Sequence, residues 1–381
     1  MLAGQFSGGD FRLWPGHCGK LALGSGIKPC FKQLSCRIQA SFNPGFRAFS
    51  HVHKIVEPFA ARAAARNAII AFPEADDARI VEAASRLAAQ GLARPLLLGD
   101  PAAVRAAAEA AGIRLDGIAL IDASDADLIA TTRRTLNERK PGLTDDALDE
   151  MANDPLYMAG VMVEAGQADA LIAGAVCETA RVISAALRTV GRAEGVRRLS
   201  SYFLMSVPNH RGQGRKDFIF SDCAVNIDPA AEDLAEIAMA SMATAEKLLE
   251  ETARGALLSF STKGSAAHST VTKVTEALAL VHQLAPELAI EGELQVDAAL
   301  VPSVAARKVK GGKGVAGDAN VLIFPDLNSG NIGYKLVQYM ANADAIGPFF
   351  QGFSKPVCDL SRGCSVEDVV SAAVILMATA D

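Results

Sequence analysis

Asn67-Ala-Ile-Ile-Ala-Phe-Pro73 is a short apolar run closed by a proline, which reads as a buried strand. Asp77–Gln90 follows with a helical period, and Gly91 stands where a helix C-cap glycine belongs. Pro95–Leu98 is the next apolar run. A strand, a helix and a second strand at this spacing predict a parallel pair with a crossover helix. Upstream, Ile55–Arg66 reads as a helix. Downstream the alternation continues: helix 101–111, strand 117–121, helices 125–138 and 144–165, strand Ala170–Ala173, helix 178–190. The texture changes at 200–228, where Tyr202–Val207 and Asp217–Ser221 flank the loop Pro208–Lys216 as a β-hairpin. His210 and Arg211 belong to a solvated tip. Alternation then resumes: helix 230–250, strand 256–260, helix 268–284, strand 293–297, helix 302–308, strand 320–324, helix 332–341, strand 356–358, helix 365–380. The fold class is α/β with largely parallel sheets.

A length of 381 residues predicts one very large domain or two ordinary ones, and the change of texture favours two. The boundary is placed near 194, with the last strand and helix returning. Domain I is then 54–194 plus 348–381, and domain II is 195–347. Residues 1–53 lack a helical or strand period and carry six basic side chains against one acidic, a charge of +5. They read as a disordered extension or as a targeting segment, basic and nearly free of acids. The location is accordingly cytoplasmic, or mitochondrial if that segment is a transit peptide. The total charge is −6, so the remainder carries −11, which argues against a nucleic-acid footprint. No apolar run reaches the length needed to span a bilayer, and Val369–Ala380 reads as a buried helix. Seven scattered cysteines without a CxxC pair, and six histidines without HxxxH spacing, suggest neither a disulfide framework nor a metal site. Cys177 and Cys364 read as small buried fillers.

Three strand–loop–helix junctions share a design suited to a phosphate-bearing ligand: small residues, a helix N-terminus and, in two cases, a basic side chain. They are Ser261-Thr-Lys-Gly-Ser265, Asp326-Leu-Asn-Ser-Gly-Asn331, and Asp359-Leu-Ser-Arg-Gly-Cys-Ser-Val-Glu-Asp368. By spacing alone, Ser365-Val-Glu-Asp368 is a capping box. Gly312-Lys-Gly-Val-Ala-Gly317 matches GxGxxG but precedes a strand, so it is no dinucleotide fingerprint.

Five blocks resemble those of the phosphate acetyltransferases within the phosphate acetyl/butyryltransferase family. They are Phe72-Pro-Glu-Ala-Asp-Asp-Ala-Arg79, Leu258–Ala266, Glu291–Ala299, Phe324–Lys335 and Asp359–Asp368, in the family's order. The resemblance implies an isocitrate dehydrogenase-like pair of α/β/α domains with the active site in the interdomain cleft, assembled as a homodimer. It implies reversible acetyl transfer between CoA and phosphate, small-molecule substrates, no permanently bound cofactor and no metal. On the matching positions, Asp368 would be the base for the CoA thiol, Ser361 would hydrogen-bond the thiol or thioester, and Arg362 would hold the phosphate and the developing charge. Substrate binding would involve Arg79, Arg139, Ser261, Lys263, Ser265, Asn328, Gly330, Asn331, Tyr334 and Lys335. Read from the residues alone, Arg79 could instead pair with Asp76 or Asp77, and Lys335 could be a solvated helix lysine. The chain departs from the family at Ser184, where an arginine is expected. Arg181 and Arg188 share its helix face at i−3 and i+4, and one of them is expected to supply the charge. The alternatives are transfer of a longer acyl chain, a CoA-sensing module without catalysis, and a dehydrogenase of the same fold.

Overall fold

A computed structural model describes residues 54–311 and 314–380. The expected extension or targeting segment over 1–53 lies outside the described residues. The first part of the chain gives α1 (Glu57–Arg66), β1 (Ile69–Phe72), α2 (Ala78–Ala89), β2 (Arg94–Gly99), α3 (Pro101–Ala110) and β3 (Ala119–Asp122). It continues through α4 (Ala126–Arg139), α5 (Asp145–Ala152), α6 (Pro155–Glu164), β4 (Ala170–Ala173) and α7 (Thr179–Thr189). The second part gives β5 (Ser200–Val207), β6 (Lys216–Ser221), α8 (Ala231–Leu248), β7 (Gly255–Leu258), α9 (Ser269–Leu284) and β8 (Ile290–Leu294). Next come α10 (Val296–Leu300), α11 (Pro302–Lys308), β9 (Val321–Ile323), α12 (Leu327–Met340), β10 (Asp344–Gln351), β11 (Val357–Asp359) and α13 (Val366–Thr379).

The strands form one 11-stranded sheet ordered β3-β2-β1-β4-β11-β10-β5-β6-β9-β7-β8. Strand alternation sends side chains to two different cores. Ile70 and Phe72 of β1, Ile172 of β4, Leu204 of β5 and Val321 of β9 enter one cluster with α1, α2, α8, α9 and α13. Their neighbours Ala71 and Leu171 pack with α4–α7, and Phe203 and Leu322 pack with α10–α12. Helices therefore cover both faces, and central strands such as β1 and β4 are apolar on both sides. Each buried Leu, Ile or Phe contributes about 1.5–3 kcal/mol to this sandwich. The last helix shows the logic most clearly. Residues 369–378 are buried all round, because α13 lies between α1, α2 and the sheet. No helix among the described residues is long and apolar enough to cross a membrane.

Strand direction matters for the site. β1, β4 and β11 are mutually parallel, but β10 is antiparallel to both β11 and β5, and β5 is antiparallel to β6. β9, β7 and β8 follow β6. Three reversals thus make β6–β9–β7–β8 run counter to β1–β4–β11, and the loops at their carboxyl ends leave the sheet in opposite senses.

Several expected elements differ. The helix expected over 144–165 is broken, because Pro155 starts α6 and Asp154 caps it, accepting from Leu156 N–H at 2.9 Å. The strand expected at 293–297 lies at 290–294, and Val296–Leu300 is helical. Glu291 and Glu293 disguised it, since both are buried within β8. β10 was not expected at all: Gly347 and Pro348 interrupt its apolar pattern where the pairing register shifts between Ile346 and Phe349. Finally, α12 begins at Leu327, ahead of the expected 332, so the second junction loop is its first turn.

Candidate active site

The parallel neighbours β1, β4 and β11 end at Phe72, Ala173 and Asp359, and their following loops meet at this edge. Open α/β sheets place ligands at such carboxyl ends. Arg79, at the start of α2, ties the three loops together. Its Nε and Nη2 donate to the two oxygens of Asp77 at 3.0 and 2.7 Å. Nη2 also donates to the Ala175 carbonyl at 2.8 Å. Nη1 donates to the carbonyls of Arg362 and Cys364 at 2.8 and 2.9 Å. A guanidinium has five N–H donors, and these five acceptors use all of them. The expected pairing with Asp77 is present, and Arg79 has no donor left for a substrate in this arrangement.

Glu74 braces the same loops from below. Its carboxyl oxygens accept from Ala175, Val176 and Cys177 N–H at 2.8, 3.0 and 2.9 Å. It thereby fills the anion nest ahead of α7, whose N-cap Glu178 makes no side-chain cap. The start of α7 is held instead by Asp359, whose Oδ2 accepts from the Thr179 hydroxyl. Asp359 is 1% exposed, and its Oδ1 is buried without a hydrogen-bond partner. Gly174 permits this packing: at φ +101°, a Cβ there would lie 2.0 Å from Asp359 Oδ1.

Burial pushes the Asp359 carboxyl up to about 7; the Thr179 hydroxyl opposes the shift and the Glu74 charge adds to it. The folded chain therefore keeps a proton that the unfolded chain releases near 3.8. More protons bound in the folded state means that this group's contribution to stability falls as pH rises from about 4 to about 7. Urea titrations across that window should show the wild type losing stability relative to Asp359→Asn. Parallel curves for the two proteins would contradict the assignment.

Ser361, Arg362 and Gly363 are exposed at the rim. Arg362 has its nearest carboxylate, Glu178, at 4.0 Å, and its side chain is 68% exposed, so the guanidinium can turn to an anion. Ser361 Oγ accepts from Gly363 N–H at 3.3 Å. Asp368 completes the capping box: its Oδ2 accepts from Ser365 N–H and Oγ at 2.8 and 2.9 Å, while Ser365 Oγ accepts from Asp368 N–H at 3.1 Å. Burial raises the Cys177 thiol to about 12 and the Cys364 thiol to about 11, so neither is a ready nucleophile at neutral pH.

The other expected residues fall into separate places. Arg181 pairs with Asp154 at 2.6 Å. Arg188 folds back onto Ser184, donating from Nη1 to its Oγ and, at 3.1 Å, to its carbonyl. Arg139 pairs with Glu164 and reaches the Val190 carbonyl at 3.4 Å. Ser261 donates to Glu293 at 2.9 Å, and Gly264 N–H donates to the same oxygen at 2.7 Å. Lys263 Nζ donates to the Gly292 carbonyl at 2.8 Å, and Ser265 Oγ accepts from Thr262 N–H at 2.9 Å. These contacts stay between the loop after β7 and strand β8 itself. On α12, Gly330 packs on the Asp222 carbonyl, where a Cβ would lie 2.3 Å away, and Asn331 donates to the Cys223 carbonyl at 3.2 Å. Tyr334 is buried and stacked on Phe203 at 4.1 Å, whereas Asn328 and Lys335 are exposed. Ser261, Gly330 and Tyr334 are thus packing residues in this arrangement.

Sequence reasoning missed Glu74, Thr179, Asp359 and Glu293 as organisers of these loops. Glu74, Asp359 and Glu293 stood inside the quoted blocks, and an acid among apolar strand residues was the available signal.

An exposed arginine and serine stand together on a braced loop at the carboxyl ends of parallel strands, an arrangement suited to an anionic group. Comparison with known proteins makes this specific. The family described as "Phosphate acetyl/butaryl transferase" matches residues 54–377, and the chain belongs to it. A phosphate acetyltransferase of Thermoanaerobacterium thermosaccharolyticum is 45% identical over 319 residues, covering 83% of this chain and 96% of the relative. One from Acetivibrio thermocellus is 43% identical over 308 residues, covering 80% and 92%. The crystal structure of a phosphotransacetylase from Streptococcus pyogenes superposes with a TM-score of 0.78 at 40% identity, covering 85% of this chain and 97% of that one.

Proposed function

We propose that the protein is a phosphate acetyltransferase, moving an acetyl group reversibly between CoA and inorganic phosphate. The observation that carries this is the exposed Arg362 guanidinium beside Ser361, on a loop whose Arg362 and Cys364 carbonyls are held by Arg79 Nη1. In the direction of acetyl-CoA synthesis, the CoA sulfur attacks the carbonyl carbon of acetyl phosphate. The C–S bond forms, the C–O bond to phosphate breaks, and phosphate leaves with the bond's electron pair. Arg362 balances the phosphate charge and the developing oxyanion, Ser361 orients the sulfur, and Asp368 accepts the thiol proton. The raised Cys177 and Cys364 thiols favour direct transfer over an acyl-cysteine intermediate. Purified protein given acetyl phosphate and CoA should form thioester and release phosphate. No turnover with acetyl, propionyl or butyryl phosphate would refute the enzyme.

Asp368 is proposed to serve both cap and base, its orientation fixed by Ser365. Asp368→Asn keeps an acceptor oxygen for the Ser365 N–H and removes the base. It should lower kcat by about 10²–10⁴ and stability by less than about 1 kcal/mol. A loss of stability with kcat within tenfold of wild type would leave Asp368 as a cap alone.

Arg188 is proposed to supply the charge that Ser184 lacks, since its Nη1 already lies on the Ser184 hydroxyl. Lys335 and Asn328, exposed on α12, are proposed to meet phosphate groups of CoA. An unchanged phosphate KM in Arg188→Ala, or an unchanged CoA KM in Lys335→Ala, would remove that residue from the set. A homodimer is proposed through the α12 face bearing Ile332, Leu336, Tyr339 and Met340, of which the last two are 80% and 82% exposed. Sedimentation of Leu336→Asp as a monomer would agree; an unaltered dimer would move the interface. The free cysteines among the described residues favour a reducing, cytoplasmic setting. Thiol titration after alkylation in intact cells would test that setting.

A further inference from the structure

We propose that Asp359 is a positioning residue for the transfer, whose charge state sets how firmly Arg362 holds the anionic substrate. The inference rests on the acetyl-phosphate reading above. Its basis is the placement of a buried acid at the root of the reactive loop. Asp359 ends β11, two residues before Ser361, and is 1% exposed. One oxygen is spent on the Thr179 hydroxyl, which ties the loop to α7. The other makes no hydrogen bond of normal geometry and cannot reach solvent over Gly174; the adjoining Leu360 N–H, which favours the charged form, is committed to the Ala173 carbonyl at 2.7 Å. A buried carboxyl oxygen without a donor is costly as an anion and tolerable as a neutral acid.

The charged and titratable groups facing it are few. Glu74 comes from the loop after β1 and repels its negative charge, while Arg362 on the rim favours it. Cys177 from the loop after β4 and Cys358 within β11 both feel its field and are both held protonated by burial. Ionising Asp359 therefore places a second negative charge beside Glu74, and Arg362 is the cation among these groups that can answer it. A guanidinium drawn toward Asp359 holds phosphate less well. The carboxyl value of about 7 places this change within the neutral range.

At lower pH Asp359 is neutral and Arg362 serves the substrate; at higher pH Asp359 is charged and competes. With CoA saturating, the KM for acetyl phosphate should rise several-fold between about pH 6 and pH 8. Acetyl phosphate suits the test because its own ionisation lies below that range, whereas inorganic phosphate titrates within it. In Asp359→Asn, neutral at every pH, the KM should be flat over the same interval. Thr179→Val removes a donor that favours the charged form, so the inflection of KM should move to higher pH; this variant decides the matter should Asp359→Asn not fold. A wild-type KM that does not rise, an Asn variant that keeps the wild-type rise, or an unmoved inflection in Thr179→Val would each overturn the inference while leaving the enzyme reading intact. Absence of turnover at every pH would instead refute the enzyme reading itself.

Discussion

Replacing Arg362 with glutamine is expected to lower kcat/KM by about 10²–10³, equivalent to about 2.7–4 kcal/mol of transition-state stabilisation. Arg79 is fully committed to Asp77, Ala175, Arg362 and Cys364, so it cannot take over. Arg181 and Arg139 are paired with Asp154 and Glu164. The Arg362 side chain makes no structural bond closer than 4.0 Å to Glu178, so stability should change by no more than about 0.5 kcal/mol. Arg362→Lys should recover only part of the loss, because an ammonium offers a charge without the planar fork. Steady-state rates with acetyl phosphate, beside a thermal melt, check both halves. A kcat/KM within fivefold of wild type would move the anion site away from the rim.

Gly174→Ala should have the largest effect on stability. Its backbone sits at φ +101°, and the new Cβ would lie 2.0 Å from Asp359 Oδ1, 2.8 Å from Leu360 N and 2.9 Å from Leu360 O. Two of those atoms are backbone, so the chain itself must move. Strain at a positive φ costs about 1–3 kcal/mol, and forced overpacking adds about 1–3 kcal/mol. The displaced segment begins where Leu360 N–H bonds the Ala173 carbonyl at 2.7 Å, and it carries Ser361 and Arg362. Surviving folded protein should therefore be nearly inactive. Gly142 is a matched control: its φ is +100°, with nothing within 4 Å of a Cβ. Gly142→Ala should show the backbone strain alone and keep activity. Equal destabilisation of the two variants in urea would show that the Gly174 contact does not matter.

The alternating units were legible because a strand buried on both faces must be a short apolar run. Ala170–Ala173 appears at its expected bounds for that reason. β8 was displaced because its two glutamates are buried by tertiary partners that no local pattern reveals. β10 was invisible because a glycine and a proline interrupt it at a register shift. The reactive loop was legible as a motif, and so was the capping role of Asp368. What the sequence could not show was β10, whose antiparallel pairing with both β11 and β5, added to the expected β5–β6 hairpin, turns the loops holding Ser261 and Asn328 away from the sense of the Ser361 loop. Nor could it show that every donor of Arg79 is consumed, since its five acceptors come from four loop residues spread between 77 and 364.

Transfer of the acetyl group of acetyl-CoA to phosphate can be followed atom by atom. Incubating the full chain with acetyl-CoA and isotopically labelled inorganic phosphate tests it most directly. The account predicts labelled acetyl phosphate and free CoA in equal amounts, with formation nearly abolished in Arg362→Gln. Release of CoA with acetate and no labelled acetyl phosphate, or binding of CoA without turnover, would contradict it.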